Sequence, residues 1–243
     1  MTPVALITGG AARIGACIAT TMHARGYRVL VHYHRSHDRA AALAAELNSQ
    51  RPDSARILQA DLLEVAAIER LAADALSAWG RLDLLVNNAS SFFPTPLGSI
   101  TLEQWDNLIG SNARAPLLLS QLLHKPLQVS GSGSIINIID STSRYGLARF
   151  VPYAMAKAAL ANMTRSLARE LAPLVRVNGV APGAILWPEY EGGASEAEQQ
   201  ATLARTMLGR LGSPQDIAHT VAFLASATYI TGEIIKVDGG VLS

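Results

Sequence analysis

Three residues in the second half of the chain have the types and the spacing that proton transfer needs. Tyr153 and Lys157 stand four positions apart in the segment YAMAK, so on a helix both side chains project from one face. The lysine ammonium favours a phenolate and is expected to lower the pKa of the phenol, which would make it a usable acid near neutral pH. Asp140 lies upstream, where the apolar run IINII ends. The three residues are a candidate proton-transfer group.

A glycine-rich turn near the start of the chain predicts a dinucleotide site. After the first apolar run the chain reads TGGAARIG, from Thr8 to Gly15, and a helical pattern follows. Glycines let the backbone approach a pyrophosphate, and the free N–H groups at the start of a helix attract its negative charge. We therefore predict cofactor contacts from Gly9, Arg13, Ile14 and Gly15.

The residues after the second apolar run favour NADPH as the cofactor. NAD enzymes usually place a carboxylate about 20 residues beyond the glycines, whereas this chain reads HYHRS at positions 32–36. Arg35 and Ser36 suit a 2′-phosphate through charge-assisted hydrogen bonds, His34 stands beside them, and Arg13 can reach the same phosphate. The alternative is a solvated basic loop. His32 and His34 are interpreted as packing or polar-surface residues rather than metal ligands, because no cluster of Cys, His and carboxylates accompanies them.

The order of apolar runs and helical patterns predicts an α/β fold that can hold these residues together. Strand-like runs with little polar alternation are separated by helices, which indicates a parallel sheet covered on both faces. We predict one dinucleotide-binding and catalytic domain over residues 1–243, a Rossmann-type doubly wound seven-stranded sheet. The predicted strands are Pro3–Thr8, Arg28–His32, Arg56–Ala60, Leu82–Asn87, Ser134–Asp140, Val175–Val180 and Ile234–Val237. The predicted helices cover residues 13–25, 38–49, 64–79, 103–124, 152–172 and 214–225.

The composition argues against several other classes of protein. The net charge is +1 with scattered basic residues, which gives no electrostatic case for nucleic-acid binding. The single cysteine, Cys17, excludes an internal disulfide and fits a reducing compartment. No run approaches the ~18 apolar residues of a membrane span, and the N-terminus has no basic lead of a signal peptide. We expect a cytoplasmic protein without membrane partners.

One segment interrupts the regular alternation. Trp187–Gln200 is acidic and contains glycines, and it follows the sixth predicted strand, where a doubly wound enzyme can carry a substrate lid. The lid region would extend over about residues 184–208. An ordinary surface loop and helix explains the segment equally well.

Five motifs along the chain resemble the short-chain dehydrogenase/reductase family. They are TGGAARIG, NNAS at 87–90, YAMAK, VAPG at 180–183 and VDGG at 237–240, all in the family's order. The resemblance covers essentially the whole chain. It implies that Asp61, with Leu62 beside it, holds the adenine, and that Asn87 and Ala89 line the adenosine ribose.

The same resemblance assigns the reactive end of the cofactor. Tyr153 would be the proton donor, and Lys157 would bind the nicotinamide ribose and tune the phenol. Asn112 would support a water-mediated proton relay, and Pro182 and Gly183 would flank the nicotinamide ring. Members of the family are usually tetramers packed through their long helices, so a homotetramer is expected here.

Two departures from the usual family pattern resemble its pteridine reductase branch. Arg13 stands where Gly is usual and Asp140 where Ser is usual, and the segments HYHRS and NASSFFPTPL also fit that branch. The resemblance implies that Arg13 anchors NADPH and substrate, and that Ser90 faces cofactor phosphate and pterin. It further implies that Phe92 stacks on the pterin ring and that Asp140 acts with Tyr153. The branch tends to have Ser shortly after the PG pair, whereas this chain has Ala184 and Ile185.

Register decides which acidic or hydroxyl side chain faces the site. Consecutive strand residues point to opposite faces, so only one of Asp140 and Ser141 looks toward Tyr153. Asp140 precedes Tyr153 by thirteen positions, the family's usual Ser-to-Tyr interval, and it is the residue we predict there. The alternative is that Ser141 fills the serine role and Asp140 is incidental.

Three functions remain open from the sequence. The first is an NADPH-dependent reductase of dihydropterins, and also of oxidised pterins or folates, because reduction of C=N leaves a nitrogen that must gain a proton. The second is a carbonyl reductase of the same family, such as one acting on 3-oxoacyl thioesters. The third is a non-catalytic dinucleotide sensor, which the intact Tyr153 and Lys157 pair argues against.

Overall fold

The computed structural model describes residues 2–187 and 193–241 and contains a seven-stranded sheet in which every strand pairing is parallel. The sheet order is β3-β2-β1-β4-β5-β6-β7. Each predicted apolar run contains one strand, and the observed ends differ from the predicted ends by at most two residues. The strands are β1 Val4–Ile7, β2 Arg28–Tyr33, β3 Ala55–Gln59, β4 Leu84–Asn87, β5 Ser134–Ile138, β6 Arg176–Pro182 and β7 Ile234–Val237.

Helices cover both faces of the sheet. They are α1 Arg13–Ala24, α2 His37–Gln50, α3 Val65–Trp79, α4 Leu102–Ile109, α5 Ala115–Val129, α6 Val151–Leu171, α7 Glu196–Ala204 and α8 Pro214–Ser226. Alternate strand residues enter two separate cores, so Val4 and Leu6 of β1 pack on one face while Ala5 and Ile7 pack on the other. The predicted doubly wound fold is confirmed.

The predicted helix over 103–124 is divided by a π-helical turn. Residues Gly110–Arg114 form this turn between α4 and α5, and the helical path continues to Val129. Apolar periodicity cannot report a single widened turn, because such a turn adds only one residue to the helix. Asn112, one of the predicted site residues, lies inside it.

The segment proposed as a lid is partly helical. Ser195 caps α7 in a reciprocal pair with Glu198, and none of the residues of α7 is buried. Residues 188–192 of the predicted lid lie outside the described residues. No helix in the described ranges 2–187 and 193–241 is long and apolar enough to cross a membrane.

The strand order creates the crevice where ligands bind in folds of this class. The chain passes from β3 at one edge back to β4 beside β1, so the direction of winding reverses between β1 and β4. In open parallel sheets, ligands bind beyond the carboxyl ends of the strands at such a reversal. The glycine turn follows β1, Asn87 ends β4, and Asp140 follows β5, so the candidate residues share this edge.

Candidate active site

The Tyr153 phenol and the Asp140 carboxylate are in direct contact. The phenol hydroxyl donates to Oδ2 of Asp140 at 2.7 Å. Oδ1 of the same carboxylate accepts from the backbone N–H of Thr142 at 2.7 Å and from the Thr142 hydroxyl. Ser141 is 6% exposed and starts a short 3₁₀ turn. The residue that meets the phenol is therefore Asp140, as the register argument predicts.

Lys157 lies one helical turn beyond Tyr153 on the same face of α6. Its ammonium donates to the carbonyl of Ile138, at the end of β5, at 2.9 Å, and it lies 5.7 Å from the centre of the Tyr153 ring. Burial lowers the pKa of Lys157 to about 8, and Asp140 partly opposes this shift. A buried ammonium close to its titration point is thus fixed beside the phenol.

The pKa of the phenol shifts in the direction opposite to the one expected from the lysine. Burial raises the pKa of Tyr153 well above its usual value, and the Asp140 charge and hydrogen bond add to the increase. The expectation of a lowered pKa is therefore wrong for the protein alone. It took account of the cation at i+4 but not of burial or of the carboxylate that accepts a hydrogen bond from the phenol.

Aromatic rings line one side of the phenol. Phe92 stacks on Phe150 with ring centres 4.6 Å apart and planes 6° apart. The ring centres of Phe92 and Tyr153 are 4.7 Å apart and their planes are inclined at 72°. Leu108, Phe150 and Tyr153 form the buried part of this cluster, against which Phe92 and Phe93 pack. The structure thus brings the predicted Phe92 to the reactive group, and Phe150 is a site residue that sequence reasoning missed.

Asn112 anchors the loop that carries Ser90. Its Oδ1 accepts from the Ser90 hydroxyl at 2.6 Å, and its Nδ2 donates to the carbonyls of Ser91 and Leu108, both at 3.0 Å. Asn112 is fully buried, whereas Ser90 is exposed. The π-helical turn directs this amide toward the loop after β4. Within the described part of the chain, its hydrogen bonds go to this loop and to its own helix rather than to Tyr153.

The glycine turn forms a close-packed cradle after β1. A Cβ added to Gly15 would lie 2.1 Å from the Gly9 carbonyl oxygen, and Gly9 adopts a positive φ of 61°. Nδ2 of Asn88 donates to the carbonyls of Thr8 and Gly9 at 2.8 and 3.2 Å. The backbone is therefore held where only glycine fits, at the start of α1, as a pyrophosphate cradle requires.

Arg13 occupies a backbone conformation that favours glycine. Its φ is +53°, in the left-handed region that costs an ordinary residue about 1 kcal/mol or more. Its Nη2 donates to the carbonyl of Trp187 at 3.0 Å, so the glycine turn contacts the segment after β6. Ile14 follows in the first turn of α1.

The residues predicted to select NADPH gather at the ends of β2 and β3. His34, Arg35 and Ser36 are exposed, and Ser36 immediately precedes α2. Nε2 of His34 lies 3.4 Å from Oδ2 of Asp61. Leu62 is buried beside Asp61. The predicted 2′-phosphate and adenine contacts therefore come from adjacent segments.

The ends of β4 and β6 complete the edge. Asn87 donates to Oδ1 of Asn137 at 2.8 Å, and its own Oδ1 is buried without a hydrogen-bond partner among the described residues. The Ala89 N–H donates to the Thr8 hydroxyl. Pro182 ends β6, and a Cβ on Gly183 would lie 2.6 Å from Cα of Asp238. A glycine cradle and an orphaned amide oxygen on one sheet edge fit a dinucleotide.

His32, like Phe150, makes contacts that the sequence did not predict. It is 2% exposed, its Nδ1 accepts from the Gly9 N–H at 3.0 Å, and its Nε2 lies 3.2 Å from the Ala60 carbonyl. The sequence left two places open for His32, packed in the interior or on the polar surface, and the structure shows the packed one. The position of His32 near the end of β2, level with the turn after β1, is the signal that could have found this contact.

Comparison with known proteins agrees with this geometry. A family model described as enoyl-(acyl carrier protein) reductase matches residues 9–242. A short-chain type dehydrogenase/reductase of Picea abies is 34% identical over 98% of this chain and 91% of its own length. The chain belongs to the short-chain dehydrogenase/reductase family. It is an oxidoreductase of that family, whose members use nicotinamide cofactors.

Other relatives within the short-chain dehydrogenase/reductase family are named for different activities. Pteridine reductase 1 of Leishmania tarentolae is 40% identical over 98% of this chain and 96% of its own length. A 3-oxoacyl-(acyl carrier protein) reductase of Staphylococcus aureus is 36% identical over 99% of this chain and 98% of its own length. Overall identity therefore establishes the family but leaves the substrate to be argued from the site.

Proposed function

We propose that this chain is an NADPH-dependent pteridine reductase that converts dihydropterins to tetrahydropterins and also accepts oxidised pterins or folates. The observation that carries the proposal is the 2.7 Å hydrogen bond from the Tyr153 hydroxyl to the Asp140 carboxylate. It brings an acidic group, rather than a neutral hydroxyl, into contact with the proton donor.

A carboxylate at this position disfavours the reduction of a ketone. Hydride addition to a ketone develops negative charge on the substrate oxygen, and that charge is stabilised by neutral or cationic donors. The Asp140 charge would repel it. A C=N bond presents the opposite requirement, because its nitrogen must gain a proton and ring amide or amino groups of a pterin can donate to the carboxylate.

Asp140 and Tyr153 would share the proton that the reaction consumes. NADPH, when bound, supplies the hydride that adds to the carbon of the C=N bond. The phenol proton passes to the nitrogen, and the C=N double bond becomes a C–N single bond. Asp140 lies where it can pass a proton taken up from solvent to the phenolate that is left, and Lys157 stabilises the negative charge on that phenolate. Donors of a bound pterin would also partly neutralise the Asp140 charge, removing one cause of the raised pKa of Tyr153.

Phe92 supports a flat heterocyclic substrate. One face of its ring is covered by Phe150 at 4.6 Å, and the ring is partly exposed. Aromatic stacking contributes about 0.5–1.5 kcal/mol beyond area burial. A pterin stacked on this ring would have its reducible bond held near the phenol, and orientation of this kind is a large part of catalysis.

The chain offers residues for each part of NADPH. The glycine turn with Gly9, Ile14 and Gly15 would hold the pyrophosphate, and Arg13, His34, Arg35 and Ser36 would bind the 2′-phosphate. The adenine and adenosine ribose would contact Asp61, Leu62, Asn87 and Ala89. Lys157 would bind the nicotinamide ribose, and Pro182 and Gly183 would flank the nicotinamide ring. Ser90 would face a cofactor phosphate, and Arg13 and Ser90 would also face the pterin.

Two further features belong to the proposal. The region 184–208 would act as a substrate lid, which the contact of Arg13 with Trp187 supports. A homotetramer packed through the long helices is supported by exposed apolar side chains on α5 and α6, such as Leu117 at 44% and Met155 at 49%. Light scattering of the purified protein measures its mass and tests the tetramer directly.

A carbonyl reductase is the second candidate, because the relative named as a 3-oxoacyl-(acyl carrier protein) reductase matches 99% of the chain. Initial rates of NADPH consumption with dihydrobiopterin, dihydromonapterin and acetoacetyl thioester separate the two. We expect turnover of a pterin to exceed that of the thioester. Folded protein that binds NADPH but turns over neither pterin would disprove the proposal.

The Asp140→Ser variant sharpens this comparison, with Ser141→Ala as its matched neighbour. Loss of the carboxylate should lower kcat/KM for the pterin about a hundredfold or more, the usual range for a lost acid–base group. Ser141→Ala should change it little. Unchanged pterin turnover together with improved thioester reduction in Asp140→Ser would favour the carbonyl reductase.

A further inference from the structure

We propose that His32 is a positioning residue for the dinucleotide, whose neutral imidazole fixes the glycine turn in its binding conformation. The inference rests on the dinucleotide site and is independent of which substrate is reduced. A failure of the pterin assay therefore leaves it intact.

His32 holds two successive residues of the turn. Its Nδ1 accepts from the N–H of Gly9 at 3.0 Å, and its backbone carbonyl accepts from the N–H of Gly10 at 2.9 Å. His32 is 2% exposed, so the ring itself is shielded from water. A side chain and a backbone group of one β2 residue thus fasten the turn after β1 to the neighbouring strand.

The opposite side of the ring contacts the end of β3. Nε2 lies 3.2 Å from the carbonyl of Ala60, the residue before Asp61. A carbonyl only accepts and an amide N–H only donates, so the ring must carry its proton on Nε2 and leave Nδ1 free. The geometry therefore defines one neutral tautomer. The His32 ring thus joins the glycine turn, proposed for the pyrophosphate, to the end of β3, proposed for the adenine.

The environment keeps this ring neutral. The pKa of His32 is lowered to about 4, chiefly by burial and in smaller part by His34, whereas the Ala60 carbonyl and Asp61 act in the opposite direction. A protonated ring would direct an N–H group at the N–H of Gly9, with no acceptor between them. The contact with Gly9 is thus stable at neutral pH.

The turn needs this acceptor because of its own backbone. Gly9 has a φ of 61°, and its partly buried N–H would lose its acceptor without the ring, which would destabilise this conformation. Asn88 holds the carbonyl of Gly9, so His32 supplies the complementary contact on the N–H. A turn already fixed in the free protein avoids the ordering cost of binding.

Three variants test the inference. His32→Leu removes both ring contacts, whereas His32→Asn retains an acceptor at the position of Nδ1. His23→Leu is the matched control, because His23 is another histidine with low exposure, 4%, and is bonded to Ser54 at 2.7 Å away from the turn. The readouts are the NADPH dissociation constant from cofactor fluorescence and the amide exchange rate of Gly9 in the cofactor-free protein.

We expect His32→Leu to weaken NADPH binding at least about tenfold and to accelerate amide exchange at Gly9. His32→Asn should stay near the wild type in both measurements, and His23→Leu should leave both unchanged. Equal weakening by His32→Leu and His23→Leu would overturn the inference, as would an unaltered dissociation constant. If His32→Leu does not fold, nitrogen NMR of the wild-type ring decides. A proton on Nδ1 rather than Nε2 at neutral pH contradicts the proposed contact.

Discussion

The Tyr153 hydroxyl donates to the Asp140 carboxylate across 2.7 Å, which joins the start of α6 to the end of β5. Burial and the negative charge of the carboxylate both disfavour a phenolate at Tyr153. The phenol remains protonated and the carboxylate is held as its acceptor, beside the buried ammonium of Lys157. This relationship determines how the site should respond to charge and to pH.

Removing the Asp140 charge should lower the pKa of the Tyr153 phenol. In Asp140→Asn the side chain keeps its size but loses the charge that disfavours a phenolate, while burial still holds the pKa above its usual value. Ultraviolet absorbance titration measures the phenolate. Subtracting the same titration of Tyr153→Phe isolates this residue. An unchanged pKa in Asp140→Asn would mean that burial alone sets it.

The pH profile of the enzyme should have an alkaline limb that belongs to Lys157. Its pKa in the free protein is about 8, so the ammonium is charged below that pH and neutral above it. We expect kcat/KM, which reports the free enzyme, to fall as pH rises through about 8. Because Asp140 raises the pKa of Lys157, Asp140→Asn should move the limb to lower pH. Lys157→Arg should abolish it, since arginine stays charged, and a limb that persists there belongs to another group.

Replacing Arg13 by glycine should stabilise the protein and weaken its preference for NADPH. The φ of +53° strains arginine but not glycine, so Arg13→Gly should raise the free energy of unfolding by about 1 kcal/mol. Loss of the cation should raise the dissociation constant of NADPH more than that of NADH. Arg149→Gly is the control, because Arg149 also has a positive φ, 67°, but pairs with Glu198. Equal loss of NADPH binding in both variants would contradict a specific role for Arg13.

Much of the fold could be read from the sequence because buried parallel strands leave long apolar runs. The run IINII predicts β5 and places Asp140 just beyond its end, and the thirteen-residue interval predicts which side chain meets Tyr153. Both conclusions depend on local periodicity and register. The division of 103–124 by a π-helical turn could not be read, because one widened turn does not change the apolar pattern.

Properties that depend on three-dimensional burial were not accessible in the same way. The spacing of Tyr153 and Lys157 correctly brings a cation beside the phenol. The direction of the phenol pKa, however, is set by burial and by a residue thirteen positions away. The contacts of His32 with Gly9 and of Phe92 with Phe150 join separate segments, so the apolar periodicity within one segment does not predict them.

The Phe92 ring should contribute to binding of the substrate but not of the cofactor. Phe92→Ala removes a surface that stacks on Phe150 and lies against Tyr153, so we expect KM for the pterin to rise about tenfold, in line with the energy of one aromatic stack. The dissociation constant of NADPH should change less than about twofold. Phe223→Ala, at a 51% exposed ring on α8, is the control. An unchanged KM in Phe92→Ala would remove the stacking argument.

Acid should destabilise the cofactor-free protein partly through His32. An unfolded histidine takes up a proton near pH 6.5, whereas His32 in the folded protein does so only at about 4. Between these values the unfolded state binds a proton that the folded state does not, so the free energy of unfolding falls as pH falls through this window. The contribution of His32 to that fall is roughly 3 kcal/mol.

Denaturant unfolding of the wild type and of His32→Asn, at pH values across this window, measures that contribution. The comparison isolates His32, because every other titrating group is present in both proteins. The difference in stability between the two proteins should shrink toward pH 4 as the wild type loses its advantage. A difference that stays constant with pH would show that His32 is not held neutral in the folded state.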